Sequence, residues 1–267
     1  MSAVATNALI EAGIKHVSPS SLNRFLRCPE NFRQRYVCKK PDRAGHKALL
    51  GTADSKAFED FYVARLGGGP GISLSDCEDS FRDHLLAKAE ADEYDLEGET
   101  TSSLIDTGIP TIRAYYPVAQ SMPDPIAVEE KILIERDSLP VPILGYTDVE
   151  FEAFGIDRKG AANKSVHPDW RLQTRIYSAA KSKPWGLHVT TRTKVPAVYT
   201  PSDGEQYEES WSTAKADRTV RMVGQIVASM ESMILMFGVD DPWPQNGYVH
   251  QWACPRCPYK SSCPAWA

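Results

Sequence analysis

Asp157 and Lys159 stand two positions apart in Ile156-Asp-Arg-Lys159, and Asp148 closes Gly145-Tyr-Thr-Asp148 shortly before them. On a strand, residues two apart share a face, so Asp157 and Lys159 project together. The segment 149–155 is short enough for a hairpin that carries Asp148 alongside. Two carboxylates brought together need a cation between them, and oxygen donors favour a hard ion such as magnesium or manganese. A nearby ammonium neutralises a phosphate and helps orient or activate a water. The set suits hydrolysis of a phosphodiester, in which a metal polarises the phosphoryl oxygen and lowers the pKa of water. Asp-x-Lys alone occurs on any surface strand, so its weight comes from its surroundings. Gln173 and Tyr177, four apart, share one face of the helix expected to follow, a pattern that an ordinary amphipathic helix also shows.

A second set of residues could hold a metal. Cys254, Cys257 and Cys263 lie together near the end of the chain, and Cys28 stands in Arg27-Cys28-Pro29-Glu30 near its start. Three thiolates in one loop need a fourth to complete a tetrahedral or cubane site, and Cys28 is the natural donor. A group held there would staple the N-terminal segment to the tail. Structural zinc and an iron–sulfur cluster both suit four thiolates. Cys38 and Cys77 lack ligand-like neighbours and read as structural thiols.

The elements that must position these residues are legible in part. Ser18 to Cys28 reads as a capped helix start, with Leu22, Phe25, Leu26 and Phe32 at helical spacing. A helix near 51–66 ends at the Gly67-Gly-Gly-Pro-Gly71 break. Residues 75–120 read as two helices flanking an acidic stretch around Glu97. Strands are expected over 126–136, 141–152 and 154–159, a helix over 169–182, and two more strands over 186–192 and 197–199. A long helix over 208–237 carries Val220, Val223, Val227, Met230 and Ile234 on one stripe. The expected division is a 17–66 helical part, a 67–124 helical insertion, a 125–205 core and a 206–267 helix and tail, all within one unit.

The chain has 267 residues, 42% hydrophobic content and a formal charge of −5, enough to bury a sizeable core. No run reaches the roughly 18 apolar residues of a membrane span. The first sixteen residues lack the basic start of a secretory leader. A cytoplasmic location with reduced thiols is therefore expected, with no membrane partner. Eight Lys and Arg between Arg24 and Lys47, interleaved with Phe25, Phe32 and Tyr36, fit either a phosphate backbone or a solvated amphipathic helix. His46 is expected at the surface.

Taken in order, Ser18-x-Ser20-x-Leu22, Cys28-Pro29, Phe32, Tyr36, Gly51, Gly145-x-x-Asp148, Asp157-x-Lys159, Gln173-x-x-x-Tyr177 and the terminal cysteines resemble RecB-like nucleases of the PD-(D/E)XK superfamily. They are most similar to the iron–sulfur branch that includes Cas-four exonucleases, AddB-type domains and phage relatives. The resemblance spans nearly the whole chain. It implies an α/β fold, in which a central mixed β-sheet is flanked by helices, with a helical subregion and an iron–sulfur lobe joining both termini. It implies a 4Fe–4S cluster on Cys28, Cys254, Cys257 and Cys263. It also implies a Mg or Mn ion on Asp148, Asp157 and the backbone carbonyl of Arg158, with Lys159 as catalytic lysine and Gln173 and Tyr177 in support. The implied activity is metal-dependent exonucleolytic cleavage of DNA with a preference for single-stranded ends, and the implied nucleic-acid partner is DNA with single-stranded or duplex ends. Recombination, repair or CRISPR-adaptation proteins are the implied partners.

Two positions depart from the family pattern. Relatives place a metal-binding histidine where this chain has Ser55, and serine is a poor substitute for an imidazole. Asp54 or Glu59 takes over, the metal is held more weakly, or the chain is a catalytically impaired DNA-binding or scaffold protein. Gly160 follows Lys159 where relatives often carry threonine. A zinc-stabilised interaction domain without a DNA role is the third reading.

Overall fold

The computed structural model of the protein describes residues 7–246 and 253–266. The first six residues of the stretch read for a leader, and residues 247–252 and 267 of the expected tail, lie outside the described residues. The helices are α1 (Ala8–Glu11), α2 (Pro19–Arg27), α3 (Pro29–Phe32), α4 (His46–Arg65), α5 (Leu74–Glu90), α6 (Thr101–Ser121), α7 (Pro168–Lys181) and α8 (Thr213–Phe237). The strands are β1 (Ala44–Gly45), β2 (Tyr94–Asp95), β3 (Ala127–Ile134), β4 (Ile143–Glu150), β5 (Gly155–Ala161), β6 (Trp185–Thr191), β7 (Val198–Tyr199) and β8 (Glu208–Glu209). The chain divides into two compact units. One comprises Met1–Asp42, Ile132–Gly145 and Thr213–Ala267, and the other Arg43–Lys131 and Tyr146–Ser212.

The second unit is organised around β6. All seven of its residues, Trp-Gly-Leu-His-Val-Thr-Thr, are buried, as expected for a strand covered on both faces. It pairs in parallel with β5 from Gly155↔Trp185 to Ala161↔Thr191, and the crossover this demands is supplied by α7. Its other edge takes β7 and β8, both antiparallel. The mixed sheet runs β3-β4-β5-β6-β7, with β8 on β6. α7 contacts β6, while α4 contacts β5 and α6 contacts β6. α4, α5 and α6 share a core through Leu49, Phe58, Phe61, Phe81, Ile112 and Tyr115. Cys77 lies in that core, where burial pushes its thiol up to about 12, as befits an inert structural residue.

In the first unit, Ser18 caps α2 through a reciprocal capping box with Ser21, and Pro19 opens the helix, as cap chemistry favours. The helical stripe expected to run on to Phe32 is broken. Pro29 bars the residue before it from the helical region, so Cys28 sits extended at φ −161°, ψ 109° between α2 and α3. Leu26 is exposed rather than part of a buried stripe. Buried Glu30 holds the tail. It accepts from the Trp243 amide at 2.7 Å and from Arg33 Nε at 2.8 Å, while Arg33 Nη1 donates to the Val239 carbonyl at 2.8 Å. Val220, Val223, Val227 and Met230 are buried on α8, which contacts α1 and α2, and Ile234 is half-buried.

The long helix begins at Thr213, not at 208, because Glu208 and Glu209 pair with the free edge of β6 as β8. By length and composition α8 could cross a membrane, with a window of mean hydropathy 1.3, where the sequence reading had expected no such run. It is the one described helix of that kind. His46 is half-buried rather than at the surface, with Nδ1 3.2 Å from Glu97 Oε2.

Candidate active site

β4 and β5 pair at Val149↔Ile156 and Glu150↔Gly155. Beyond this ladder, Asp148 Oδ2 accepts the Arg158 amide at 2.8 Å. That bond holds the Asp148 carboxylate beside β5. Asp157 is 0% exposed, and Lys159 Nζ lies 2.7 Å from its Oδ2. Among the described residues, Asp157 Oδ1 has no hydrogen-bond partner, and Oδ2 has only the Lys159 ammonium at that distance. A buried carboxylate oxygen left bare is costly unless a donor or cation meets it. Burial, then the charge of Asp148, push Asp157 up to about 7 against the opposing pull of Lys159. Burial alone would lower the pKa of Lys159. The charges of Asp157, Asp148 and Glu129 outweigh it and hold the ammonium above its ordinary value, so Lys159 is a fixed positive charge.

The alternation of β5 sends Arg158 to the opposite face. Its guanidinium lies 3.9 Å from the Phe58 ring centre and 4.1 Å from that of Tyr115. Asp54 Oδ2 pairs with it at 2.8 Å. The Arg158 side chain is thus a structural anchor, and only its backbone is left for the site. Asp54, one of two carboxylates expected to compensate for Ser55, is committed to that anchor.

Glu129 on β3 is a residue that the sequence reading missed. Loss of water, then the charges of Asp148, Glu59 and Asp157, push its carboxyl up to about 7. The crowding of like charge is the firmer cause, because the residue as a whole remains exposed. Its backbone is left-handed, φ 49°, inside a strand, a conformation that costs a non-glycine residue about 1–2 kcal/mol. The signal in the sequence was a glutamate on the strand preceding Gly-x-x-Asp. Glu59 on α4 is the other carboxylate whose charge reaches this group. Ser55 lies one turn before it, half-buried. On α7, Gln173 Nε2 donates to Tyr177 Oη at 2.8 Å. Burial, then the charges of Asp157, Asp148 and Glu129, hold the Tyr177 phenol well above its usual range, so it stays protonated. The structure therefore brings Asp148, Asp157, Lys159, Tyr177 and Gln173 into one neighbourhood and adds Glu129 and Glu59.

The cysteines form a separate group in the first unit. Cys28, Cys254, Cys257 and Cys263 line one open cavity of about 60 Å³, with Asn31, Ala253, Ala265 and Trp266 among its walls. Burial and the nearby sulfurs of Cys28, Cys257 and Cys263 raise the Cys254 thiol. Asn31 Nδ2 donates to Cys257 Sγ at 3.1 Å. None of the six cysteines is in a disulfide. Among the described residues, no three His, Cys, Asp or Glu side chains are set to hold a metal ion.

Three arginines of the basic segment are paired within the protein: Arg24 with Asp42 at 2.5 Å, Arg33 with Glu30 at 2.8 Å, and Arg43 with Asp92. Lys39, Lys40 and Lys47 are exposed.

A family model described as the PD-(D/E)XK nuclease superfamily matches residues 16–264. Among solved structures, a protein of Eubacterium rectale described as a putative exonuclease is similar at 11% identity and TM-score 0.54, with 87% of each chain covered. At that identity the likeness shows the fold alone. A structure described as SSO0001 is 14% identical, with TM-score 0.40, covering 82% of this chain and 96% of its own. No curated protein sequence matches.

Proposed function

The chain belongs to the PD-(D/E)XK nuclease superfamily, and from that premise we propose a metal-dependent DNA exonuclease that hydrolyses phosphodiesters at single-stranded or duplex ends. The observation that carries this reading is Asp157, whose buried carboxylate sits beside Asp148 with one oxygen paired to a charged Lys159 and the other without a partner. Excess negative charge withdrawn from water is the condition a divalent cation relieves. Asp148, Asp157 and the Arg158 carbonyl would hold Mg or Mn, with Glu129 and Glu59 supplying charge where relatives use the imidazole that Ser55 lacks. When bound, the ion polarises a phosphoryl oxygen and lowers the pKa of a water. Lys159 neutralises charge that develops on the phosphate. Tyr177, protonated and tied to Gln173, offers a hydroxyl donor at the same place. The reaction fits DNA recombination, repair or processing.

The four thiols of the first unit hold a 4Fe–4S cluster in this reading. One zinc ion draws its thiolates to a single point at about 2.3 Å each, whereas each cysteine of a cubane binds a different iron. Four sulfurs around one cavity suit either group, and the resemblance to the iron–sulfur branch is what favours the cluster. Its role is structural, because a fully thiolate-ligated cluster leaves no open position for hydrolysis.

Ser55 keeps a second reading alive, that of an impaired nuclease serving as a DNA-binding scaffold. The test is degradation of end-labelled single-stranded DNA with manganese by anaerobically purified protein, beside Lys159→Ala and Ser55→His. Degradation by the parent that Lys159→Ala abolishes is expected. Activity only after Ser55→His would establish the scaffold reading. Silence in all three well-folded proteins would overturn the nuclease assignment.

A further inference from the structure

The register of β5 and β6 fixes which face of the sheet α7 covers. Gly155 pairs with Trp185, Asp157 with Leu187 and Lys159 with Val189, and paired residues of a parallel ladder point to one side. Trp185 therefore shares a face with Asp157 and Lys159. The Tyr177 ring packs edge-on against that of Trp185, with centroids 5.6 Å apart, so α7 lies over the carboxylate face. The charges of Asp157 and Asp148 reach the Tyr177 hydroxyl there. The opposite face carries Arg158 and its register partner His188, both against Tyr115 of α6.

α7 is the crossover between two parallel strands and runs back along them. Tyr177, beside Trp185, stands at the level of Gly155, where β5 begins. Trp170 lies earlier on the same helix, about 10 Å away along its axis, which is the length of about three strand residues. It comes level with Arg158 and Lys159. The helical repeat puts Trp170, Gln173 and Tyr177 on one stripe, and Gln173 donates to Tyr177 at 2.8 Å. Burial falls along that stripe, from buried Tyr177 to half-buried Gln173 and Trp170.

Trp170 is a large ring that the core does not enclose. Trp185 and Trp243 are 0% exposed, whereas Trp170 keeps part of its surface in water. Among the described residues its one ring neighbour is His167, the N-cap of α7, at 6.2 Å. A flat ring held by a helix beside the reacting phosphate offers a π-face to a base. Bases of a duplex are already stacked on each other, so such a face serves an unpaired one.

We infer that Trp170 is a base-stacking platform that seats an unpaired nucleobase of the DNA strand next to the phosphodiester served by Lys159. The inference rests on the nuclease reading, and it narrows the substrate from either kind of end to a strand whose bases are unstacked.

The test measures binding of internally labelled single strands by fluorescence anisotropy, with calcium in place of manganese. One abasic residue is moved through the last few positions of the strand. Trp170→Ala should weaken binding of the intact strand about tenfold, as loss of one stacked base requires. The log–log salt slope should stay level, because no phosphate contact is lost. The parent should lose a similar factor at one abasic position, and Trp170→Ala should be indifferent to that position. Trp170→Phe keeps a π-face and should bind within about threefold of the parent, with less quenching of tryptophan emission by the strand. Parent-like affinity in Trp170→Ala, with the parent cleaving DNA in manganese, would overturn the platform and leave the nuclease reading intact. Weak binding by Trp170→Ala that still drops by the parent's factor at the abasic position would make Trp170 a structural residue and also overturn it. A parent that neither binds nor cleaves DNA would remove both.

Discussion

The thiol cavity and the carboxylate site are built in opposite ways. Three of the cavity's cysteines fall within the ten residues from Cys254 to Cys263, and the fourth, Cys28, is turned out of the helix by one proline. The carboxylate site draws one residue each from β3, β4 and α4 and two each from β5 and α7. The electrostatics differ as well. The cavity is lined by four thiols with Arg27 and Lys260 but, among the described residues, no carboxylate, and the Asn31 amide donates to Cys257. The sheet site crowds Glu129, Asp148 and Asp157 around one lysine. A thiol pocket can be prepared by local spacing because its ligands are weak acids that stay neutral until a metal arrives. A carboxylate cluster repels itself, so the surrounding fold must hold it together.

The contrast is broken most sharply at Asp157. Asp157→Asn should cut DNA cleavage by about 10³-fold, as loss of an essential electrostatic group does, yet raise the melting temperature of the metal-free protein at pH 8 by several degrees. The sign follows from linkage. Both Asp157 and Glu129 have folded pKa values of about 7, raised from model-peptide values of 3.8 and 4.5. Their protonated forms therefore favour the folded state, with that contribution fully present below about pH 4 and lost as pH rises through about 7. Thermal melts in EDTA should show the contribution of these groups falling across that window, and Asp157→Asn should flatten it. A metal-free Asp157→Asn protein that melts below the parent at pH 8 would contradict this account.

At the other region the direction is reversed. Cys257→Ala should remove the visible absorbance of a cluster and lower the melting temperature by on the order of 10 °C, because cofactor binding there is folding energy. Iron content and melting unchanged from the parent would refute the ligand assignment. Effects of intermediate size separate the α4 carboxylates. Glu59→Gln and Glu129→Gln should each weaken manganese binding by about tenfold, measured by calorimetry. Asp54→Ala should instead destabilise the fold by about 3 kcal/mol through the unpaired Arg158, read from denaturant melts. Smallest is Asn31→Ala, which removes the N–H···S bond to Cys257. Loss of cluster absorbance in air should quicken a few-fold, while cluster content at purification stays full.

Much of the carboxylate site was readable because a strand alternates. Asp157 and Lys159 share a face whatever packs around them, and Gln173 with Tyr177 follows the helical repeat in the same way. Glu129 escaped notice because a left-handed residue within a strand leaves no compositional trace. The start of α8 was misplaced for a related reason, since Glu208 and Glu209 have no intrinsic call to be a strand and are recruited by the open edge of β6. Charge composition says nothing about pairing at a distance. Asp42 and Asp92 neutralise Arg24 and Arg43 across separations that only the fold closes, whereas Glu30 and Arg33 are neighbours by local spacing.

The sequence by itself determined the local matters: the cap at Ser18, the break at Pro29, the two-residue spacing of Asp157 and Lys159, and the clustered thiols of the tail. Each depends on short-range sterics or periodicity, which act within a few residues. Only the tertiary structure decided which carboxylates meet. It tied Asp54 to Arg158, brought Glu59 and Glu129 into electrostatic reach of each other, and gathered Cys28 with the tail cysteines. Those outcomes depend on strand register and helix packing, which join residues far apart in the chain and are paid for by burial of the whole core rather than by any local preference.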